Sequence, residues 1–477
     1  MTSAFNPEIF REYDIRGIAD RDLVDPVIEM LGRAFAEYLN PSKVGTVAIG
    51  YDARLSSPRL RDALARGLTS SGIDVIDIGL CPTPALYFSL YHLKTGGGIM
   101  ITGSHNPSEF NGFKLCVGKE TIYGEEIQKL RRIMEQLQKS GDGGQNTGAG
   151  GKLTQHPIIP DYTSYLKNKF TDYRDIPMSV VLDSGNGTAG LAAPDVIRSM
   201  GCTVAELYSE PDGRFPNHHP DPTIPKNLET LISTVIKEHA DFGVAFDGDS
   251  DRIGIVDEQG SVLWGDQLMV LFSRDILIES PGATFVSEVK CSQTMYDDIR
   301  KHGGKAIMWK TGHSLIKAKM KKTGAALAGE MSGHIFFADR YFGYDDAIYA
   351  ACRIVELLKK TRLQKKTKVP LSSLIADLPK TFNTPEIRFD CPDSLKFKVV
   401  EQVQNIYGAP GKISLPVREV ITVDGIRAVF EKGWGLIRAS NTQPVLVMRF
   451  EAVDQASLQS IRTLMEEQVR KVITGLS

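Results

Sequence analysis

Two stretches, "VGTVAIGYDARLSSPRLRDALARGL" (44–68) and "MSVVLDSGNGTAGLAAPDVIRSMG" (178–201), follow one plan: a short run rich in Val and Ile, a polar loop, then a helix-like segment. An apolar run of that kind reads as a strand buried on both faces, and the amphipathic segment after it needs a sheet to lie on. Repeated along a chain, the pattern leaves few options other than α/β layers. Polar residues then collect at the carboxyl ends of strands, where open α/β sheets place ligands. The likeness of the two units is a weak internal repeat and predicts duplicated α/β domains.

At 477 residues the chain exceeds what one core supports, so it is expected to form roughly three or four domains. The glycine-rich "KSGDGGQNTGAGGK" (139–152) marks a first boundary, the end of the hairpin "RIGIVDEQGSVLW" a second, and the basic "KKTRLQKKTKVP" a third. The C-terminal part alternates β-like runs with a closing helix, which predicts a small α+β domain. Residues are 42% apolar and 24% charged, with a formal net charge of −2. That balance suits a soluble globular protein and argues against nucleic acid or a membrane as the main partner. Cys81, Cys116, Cys202, Cys291, Cys352 and Cys391 form no CxxC pair and read as reduced core thiols. The opening "MTSAFNPEIF" lacks the basic start and apolar run of a secretory signal, and no later run is long enough to span a bilayer, so a cytoplasmic location is expected.

"FGVAFDGDSDRIGIV" (242–256) sets Asp247, Asp249 and Asp251 at alternate positions after an apolar strand. Three carboxylates this close repel one another unless a cation neutralises them, and hard oxygen ligands suit Mg²⁺ or Ca²⁺. An EF-hand loop would need glycine where Arg252 stands and a helix on each side. The aspartate-nucleophile phosphatases want Thr or Val where Asp251 stands, which favours a third metal ligand over a nucleophile.

"MITGSHNPSEFNGFK" (100–114) ends another apolar run at Ser104. No GxSxG elbow surrounds it, so a hydrolase triad is poorly supported. In an extended segment the side chains of Ser104 and His105 point to opposite faces, so His105 is expected to brace the loop rather than act on the serine. Asn106-Pro107 and Asn111-Gly112 are turn formers expected to fold the chain back so that Lys114 approaches Ser104. A phosphate on Ser104 would bring about two negative charges, and one of its oxygens would complete the shell of a cation held by the aspartates. "GEMSGH" (329–334) offers Glu330, Ser332 and His334 to a hydroxylated ligand, and "RASNTQPVLVMRF" (438–450) offers Arg438, Ser440, Asn441, Thr442 and Arg449 around a turn suited to phosphate. His218 and His219 read as part of a proline-rich connector rather than as metal ligands, and His92, His156, His239 and His302 as surface residues.

Taken in order, "IFREYDIRG", "TGSHNP", "FPNHHPDP", "DGDSDR", "EVKCS", "WKTGHSLIK", "GEMSGH" and "RASNTQPVLVMRFEA" resemble the α-D-phosphohexomutases, most closely their bacterial phosphomannomutase/phosphoglucomutase branch. The resemblance covers nearly the whole chain. It implies three related α/β domains with mixed sheets, at residues 1–157, 158–261 and 262–375, and a TATA-binding-protein-like α+β domain at 376–477, all around a central cleft. By motif match Ser104 is the phosphoserine, and Asp247, Asp249 and Asp251 bind Mg²⁺ together with its phosphate. Glu330 and Ser332 match residues that hold ring hydroxyls, while Arg438, Ser440, Asn441, Thr442 and Arg449 match the site of the non-reacting phosphate. Arg16, Lys114 and His334 match residues near the transferring oxygen and are the acid–base candidates; Tyr13, Arg252, Lys290 and His313 match other cleft positions.

The implied activity is reversible conversion of hexose 1-phosphate, of mannose or glucose, to the 6-phosphate. It runs through a hexose 1,6-bisphosphate that also serves as activator, on a monomer whose partners are phosphosugars. The alternatives are a phosphoglucosamine mutase, against which Met331 argues, and a Mg²⁺-dependent sugar phosphatase. Two departures from the family pattern, Gly103 for a common alanine and Ser250 for a common glycine, exchange small residues and are expected to matter little.

Overall fold

The strand Thr46–Tyr51 forms from "TVAIGY", a β-branched run buried along its middle, and the helix Ser57–Ser70 follows it with Pro58 in its first turn. This is the strand–loop–helix unit of the sequence, and the computed structural model repeats it. It describes residues 5–40, 44–140, 150–408, 413–441 and 443–476. The chain divides into two compact units, Met1–Asp275 with Ser332–Ala376 and Ile276–Met331 with Asp377–Ser477.

In the first unit one sheet runs in the order Ile15–Ile18, Phe110–Val117, Gly97–Ile101, Thr46–Tyr51, Asp74–Leu80, Leu153–Gln155. Thr46–Tyr51 is parallel to Asp74–Leu80 and Gly97–Ile101, whereas Phe110–Val117 runs antiparallel to Gly97–Ile101. Val47, Ile49, Ile99 and Ile101 of these strands share a buried cluster with Leu31, Phe35, Leu60, Leu64 and Met134 of the covering helices. Burying each such side chain contributes about 1.5–3 kcal/mol. A second sheet has the order Val262–Leu263, Ile253–Asp257, Phe242–Phe246, Met178–Asp183, Cys202–Leu207, with Phe242–Phe246 parallel to Met178–Asp183 and antiparallel to Ile253–Asp257. Both sheets are mixed.

In the second unit Thr284–Glu288 runs parallel to Lys305–Trp309 and to Leu327–Gly329. The C-terminal part is an antiparallel sheet built around Ile426–Phe430, Gly433–Ala439 and Val445–Ala452. Helices Asp393–Tyr407 and Gln455–Leu476 cover one face, with Val399, Val403, Ile437, Met448, Phe450 and Met465 in their shared core. The expected α/β class with a C-terminal α+β domain is therefore present. All six cysteines are buried and none is in a disulfide. No described helix is long and apolar enough to cross a membrane.

Candidate active site

Strand Gly97–Ile101 is buried throughout and delivers Ser104 just beyond its carboxyl end. The Thr102 hydroxyl accepts from the Ser104 N–H at 2.8 Å, and the Asn106 N–H donates to the Gly103 carbonyl at 2.9 Å, which closes the turn. Ser104 has φ +47°, a left-handed conformation that costs a serine on the order of 1–3 kcal/mol and persists only when its surroundings impose it. Arg54 imposes it. This fully buried guanidinium donates to the carbonyls of Ser104 (2.8 Å), Phe110 (2.9 Å), Asn106 and Pro107, while Asp52 faces its Nε at 3.2 Å and accepts from the Gly103 N–H.

Three expectations for this loop need correction. Because Ser104 is left-handed rather than extended, His105 turns back onto it, and its Nδ1 lies 3.1 Å from the Ser104 Oγ. Asn111-Gly112 is no turn but lies in strand Phe110–Val117, opposite Gly17 and Arg16. Gly103 is not casually interchangeable: a Cβ there would sit 2.4 Å from the Arg54 guanidinium. Ser250, the other small departure, has φ +62°, which explains why glycine suits that position.

Asp247 follows strand Phe242–Phe246, and Asp247, Asp249 and Asp251 are all fully buried. Their carboxylate oxygens lie within 4.8 Å of one another. The Ser104 Oγ donates to Asp247 Oδ2 at 2.8 Å, so nucleophile and acidic cage share a hydrogen bond. Gly248 permits that approach, since a Cβ there would come within 2.6 Å of the Ser104 carbonyl. Asp247 Oδ1 accepts from the N–H groups of Asp251 and Arg252 at 3.0 and 3.1 Å. Lys114 donates to Asp249 at 2.7 Å and to Asp251. Thr83 at the start of helix Thr83–His92 donates its hydroxyl to Asp249 at 2.6 Å.

One ammonium cannot balance three buried carboxylates. Burial and then Asp251 and Asp249 push the Asp247 carboxyl well above its usual range. Burial acts the same way on Asp249, but Lys114 outweighs it and holds that carboxyl down. Burial lowers the Lys114 pKa and the two aspartates raise it further, so the ammonium keeps its proton. Asp249 Oδ1 and Asp251 Oδ1 are buried and have no hydrogen-bond partner among the described residues. An all-oxygen donor set with surplus negative charge and buried oxygens lacking partners fits a hard divalent cation such as Mg²⁺.

Around this cage Arg16 donates to the Asn106 side chain at 2.9 Å and pairs with Asp14. His334 Nε2 accepts from Arg252 Nε at 3.0 Å, and its Nδ1 lies 3.0 Å from Asp345, itself fully buried. Burial, then Arg252 and Arg16, hold the His105 ring neutral, its pKa well below the usual value. Tyr13 is half-buried just before strand Ile15–Ile18. Sequence reasoning missed Arg54, Asp52, Thr83 and Asp345. The available signal was position: Asp52 and Arg54 directly follow the first strand of a strand–loop–helix unit.

In the second unit the assigned residues again follow strand ends. Glu330 follows Leu327–Gly329 and accepts from the Gly312 N–H at 2.7 Å. Lys290 follows Thr284–Glu288 and lies 3.5 and 3.3 Å from Glu288 and Glu386. Burial lowers its pKa, but those glutamates with Glu330 raise it overall. His313 opens helix His313–Thr323. Arg438 is held by Asp424 at 2.9 Å, Ser440 accepts from the Gln443 N–H at 3.2 Å, and Arg449 donates to the Lys290 carbonyl. Asn441 is exposed, and Thr442 lies outside the described residues. Ser332 is half-buried and belongs to the first unit with His334.

Four consecutive segments match the domains of phosphoglucomutase/phosphomannomutase: residues 7–141 the α/β/α domain I, 160–260 domain II, 264–382 domain III and 386–468 the C-terminal domain. The chain is 43% identical over 470 residues to a phosphomannomutase/phosphoglucomutase of Pseudomonas aeruginosa, covering 98% of this chain and 96% of that one. It is 42% identical over 456 residues to a phosphoglucomutase of Neisseria gonorrhoeae, covering 95% of each. A crystal structure of a phosphoglucomutase/phosphomannomutase family protein from Burkholderia thailandensis matches with a TM-score of 0.89 at 36% identity, covering 99% of both chains. The chain belongs to the phosphoglucomutase/phosphomannomutase family and has its four-domain α/β fold.

Proposed function

We propose that this chain is an isomerase that interconverts hexose 1-phosphates and hexose 6-phosphates, acting on mannose and glucose phosphates through a phosphorylated Ser104 and a hexose 1,6-bisphosphate. The observation that carries the reading is the Ser104 Oγ, nearly buried and 2.8 Å from Asp247 in a three-aspartate cage that also holds Lys114. The relatives named above support the substrate class. The domains are placed at 1–157, 158–261, 262–375 and 376–477, and the chain acts as a monomer in the cytoplasm.

In the first step the 6-hydroxyl of a hexose 1-phosphate attacks the phosphorus on Ser104. The P–O6 bond forms as the P–Oγ bond breaks, and the proton lost by the 6-hydroxyl is made good on Oγ. Lys114, Arg16 and His334 are the candidates to move that proton, and the His105 Nδ1 lies 3.1 Å from the Oγ. Phosphoryl transfer is governed by positioning and charge neutralisation, and Lys114 and Arg16 supply fixed positive charge beside the loop. Mg²⁺, held when bound by Asp247, Asp249, Asp251 and the phosphate on Ser104, adds charge that stabilises the transferring oxygens. The bisphosphate then reverses and returns its other phosphate to Ser104. Glu330 and Ser332 grip ring hydroxyls in both poses, and Arg438, Ser440, Asn441, Thr442 and Arg449 hold the phosphate that is not reacting. Tyr13, Arg252, Lys290 and His313 complete the binding surface.

A ³¹P NMR time course with mannose 1-phosphate, Mg²⁺ and a trace of glucose 1,6-bisphosphate tests the reading. A growing 6-phosphate signal without inorganic phosphate is expected; inorganic phosphate would make the protein a phosphatase. Ser104→Ala should lower turnover by several orders of magnitude while calorimetry still detects sugar-phosphate binding. Near-normal turnover would remove Ser104 as the phosphoryl carrier.

A further inference from the structure

Away from the serine loop, three elements of the first unit bring two imidazoles and a carboxylate to one point. His92 closes the helix Thr83–His92, His156 follows the strand Leu153–Gln155, and Asp161 lies in the first turn of helix Ile159–Lys169. Asp161 Oδ2 is 3.2 Å from His92 Nε2 and 2.7 Å from His156 Nε2, and the three donor atoms lie within 4.8 Å of one another. Two of the donors are fixed from behind. The His92 ring stacks on buried Phe88 at 5.1 Å between centroids, and the His156 N–H donates to the Asp77 carbonyl at 2.8 Å, tying it to strand Asp74–Leu80.

We propose that His92, His156 and Asp161 form a Zn²⁺ site, distinct from the aspartate cage, that staples the end of helix Thr83–His92 to the start of helix Ile159–Lys169. Two imidazole nitrogens and one carboxylate oxygen are the donor set of a borderline-soft divalent ion, whereas Mg²⁺ takes oxygen donors and keeps its waters. Side-chain exposures of 44% for each histidine and 34% for Asp161 leave an open side where water completes a tetrahedron. The staple sits where the chain passes from the first matched domain to the second, since the matches end at residue 141 and resume at residue 160.

The test is isothermal titration of the metal-stripped full chain with ZnCl₂ in excess Mg²⁺, so that the oxygen-only cage is already occupied. One equivalent is expected to bind, with affinity falling roughly tenfold or more in His92→Ala and in His156→Ala and staying unchanged in Asp249→Ala. Zn²⁺ should also raise the melting temperature of the wild-type chain and of Asp249→Ala but not of His156→Ala. Because both histidines are half exposed, the metal-free variants should melt with the metal-free wild type, which separates lost binding from lost folding. Absence of saturable binding would overturn the proposal and leave a hydrogen-bonded histidine–aspartate cluster only. So would binding that survives both histidine substitutions, or that disappears only in Asp249→Ala.

Discussion

Arg54 touches none of the assigned substrate groups, yet it sets the geometry of the nucleophile. Its guanidinium spans four carbonyls between Ser104 and Phe110, a spread that a planar fork of donors can reach and a single ammonium cannot. Arg54→Lys is therefore expected to keep the charge and lose the clamp. Turnover should fall on the order of 100-fold with a small change in KM, and amide exchange over 103–110 should accelerate; a steady-state assay and hydrogen-exchange mass spectrometry read the two effects. Unchanged turnover would mean the loop holds its shape without Arg54. Asp249 belongs to a different class, because it meets Lys114, Thr83 and the proposed ion together. Asp249→Ala should move half-maximal activation to Mg²⁺ concentrations at least about tenfold higher, and a dependence like that of the wild type would take Asp249 out of the metal set. The aspartates were legible in the sequence because three like charges at alternate positions demand neutralisation wherever they fold. Arg54, Thr83 and Asp345 were not, since each acquires its role only when the chain closes on residues far away in sequence, 166 positions for the Thr83–Asp249 bond.

At the scale of single elements, helix Ala347–Lys365 shows how a cap becomes sensitive to pH. Its N-cap Asp346 accepts from the Tyr349 N–H at 2.8 Å and from the hydroxyls of Tyr162 at 2.9 Å and Tyr341 at 2.6 Å, in a fully enclosed site. Burial raises the Asp346 pKa from 3.8 to about 6, although those three donors favour the ionised form. The folded chain then binds this proton more tightly than the unfolded chain. The contribution to stability is full below pH 3.8 and is lost as pH rises through about 6, in all about 3 kcal/mol. Asp346→Asn keeps a capping oxygen and cannot ionise, so in urea unfolding the stability of the wild type relative to this variant should be greater at pH 4 than at pH 7, by about 2 kcal/mol. An identical pH dependence in the two proteins would place the ionisation elsewhere. The strand–loop–helix grammar was legible because apolar runs and amphipathic periods act locally. It failed where local rules compete: residues 186–201 split into a 3-10 turn, Thr188–Leu191, and a short helix, Ala193–Ser199, because Pro194 starts a new helix rather than continuing one. Asn111-Gly112, a turn signal in isolation, was overridden by pairing with strand Ile15–Ile18.

For the molecule as a whole, the division into two units separates the chemistry: nucleophile, cage and Lys114 belong to one, and Lys290, Glu330, Arg438 and Arg449 to the other. The second unit works only if its parts hold together, and Arg427 does much of that. It stands on strand Ile426–Phe430 of the C-terminal sheet, fully buried, and donates to the carbonyls of Val289 at 2.6 Å and Cys291 at 2.7 Å, which flank Lys290. Its guanidinium lies 3.6 Å from the centre of the Trp434 ring, and burial pulls its pKa down to about 10, so it stays charged near neutrality. Glu451 adds a second tie by accepting from Trp434 Nε1 at 2.9 Å and from the Ser292 hydroxyl at 2.9 Å. Arg427→Met keeps most of the apolar volume but strands two buried carbonyls, each costing about 1–3 kcal/mol. Because the lost bonds join the segment after strand Thr284–Glu288 to the C-terminal sheet, protection from hydrogen exchange should fall together over 285–293 and 426–450 and stay unchanged over 242–246. The same variant should raise KM more than it lowers turnover, since Lys290 loses its footing while Ser104 does not. If exchange quickens in the C-terminal sheet alone, Arg427 serves only the packing of its own domain, and the second unit is held together by the Glu451 tie instead.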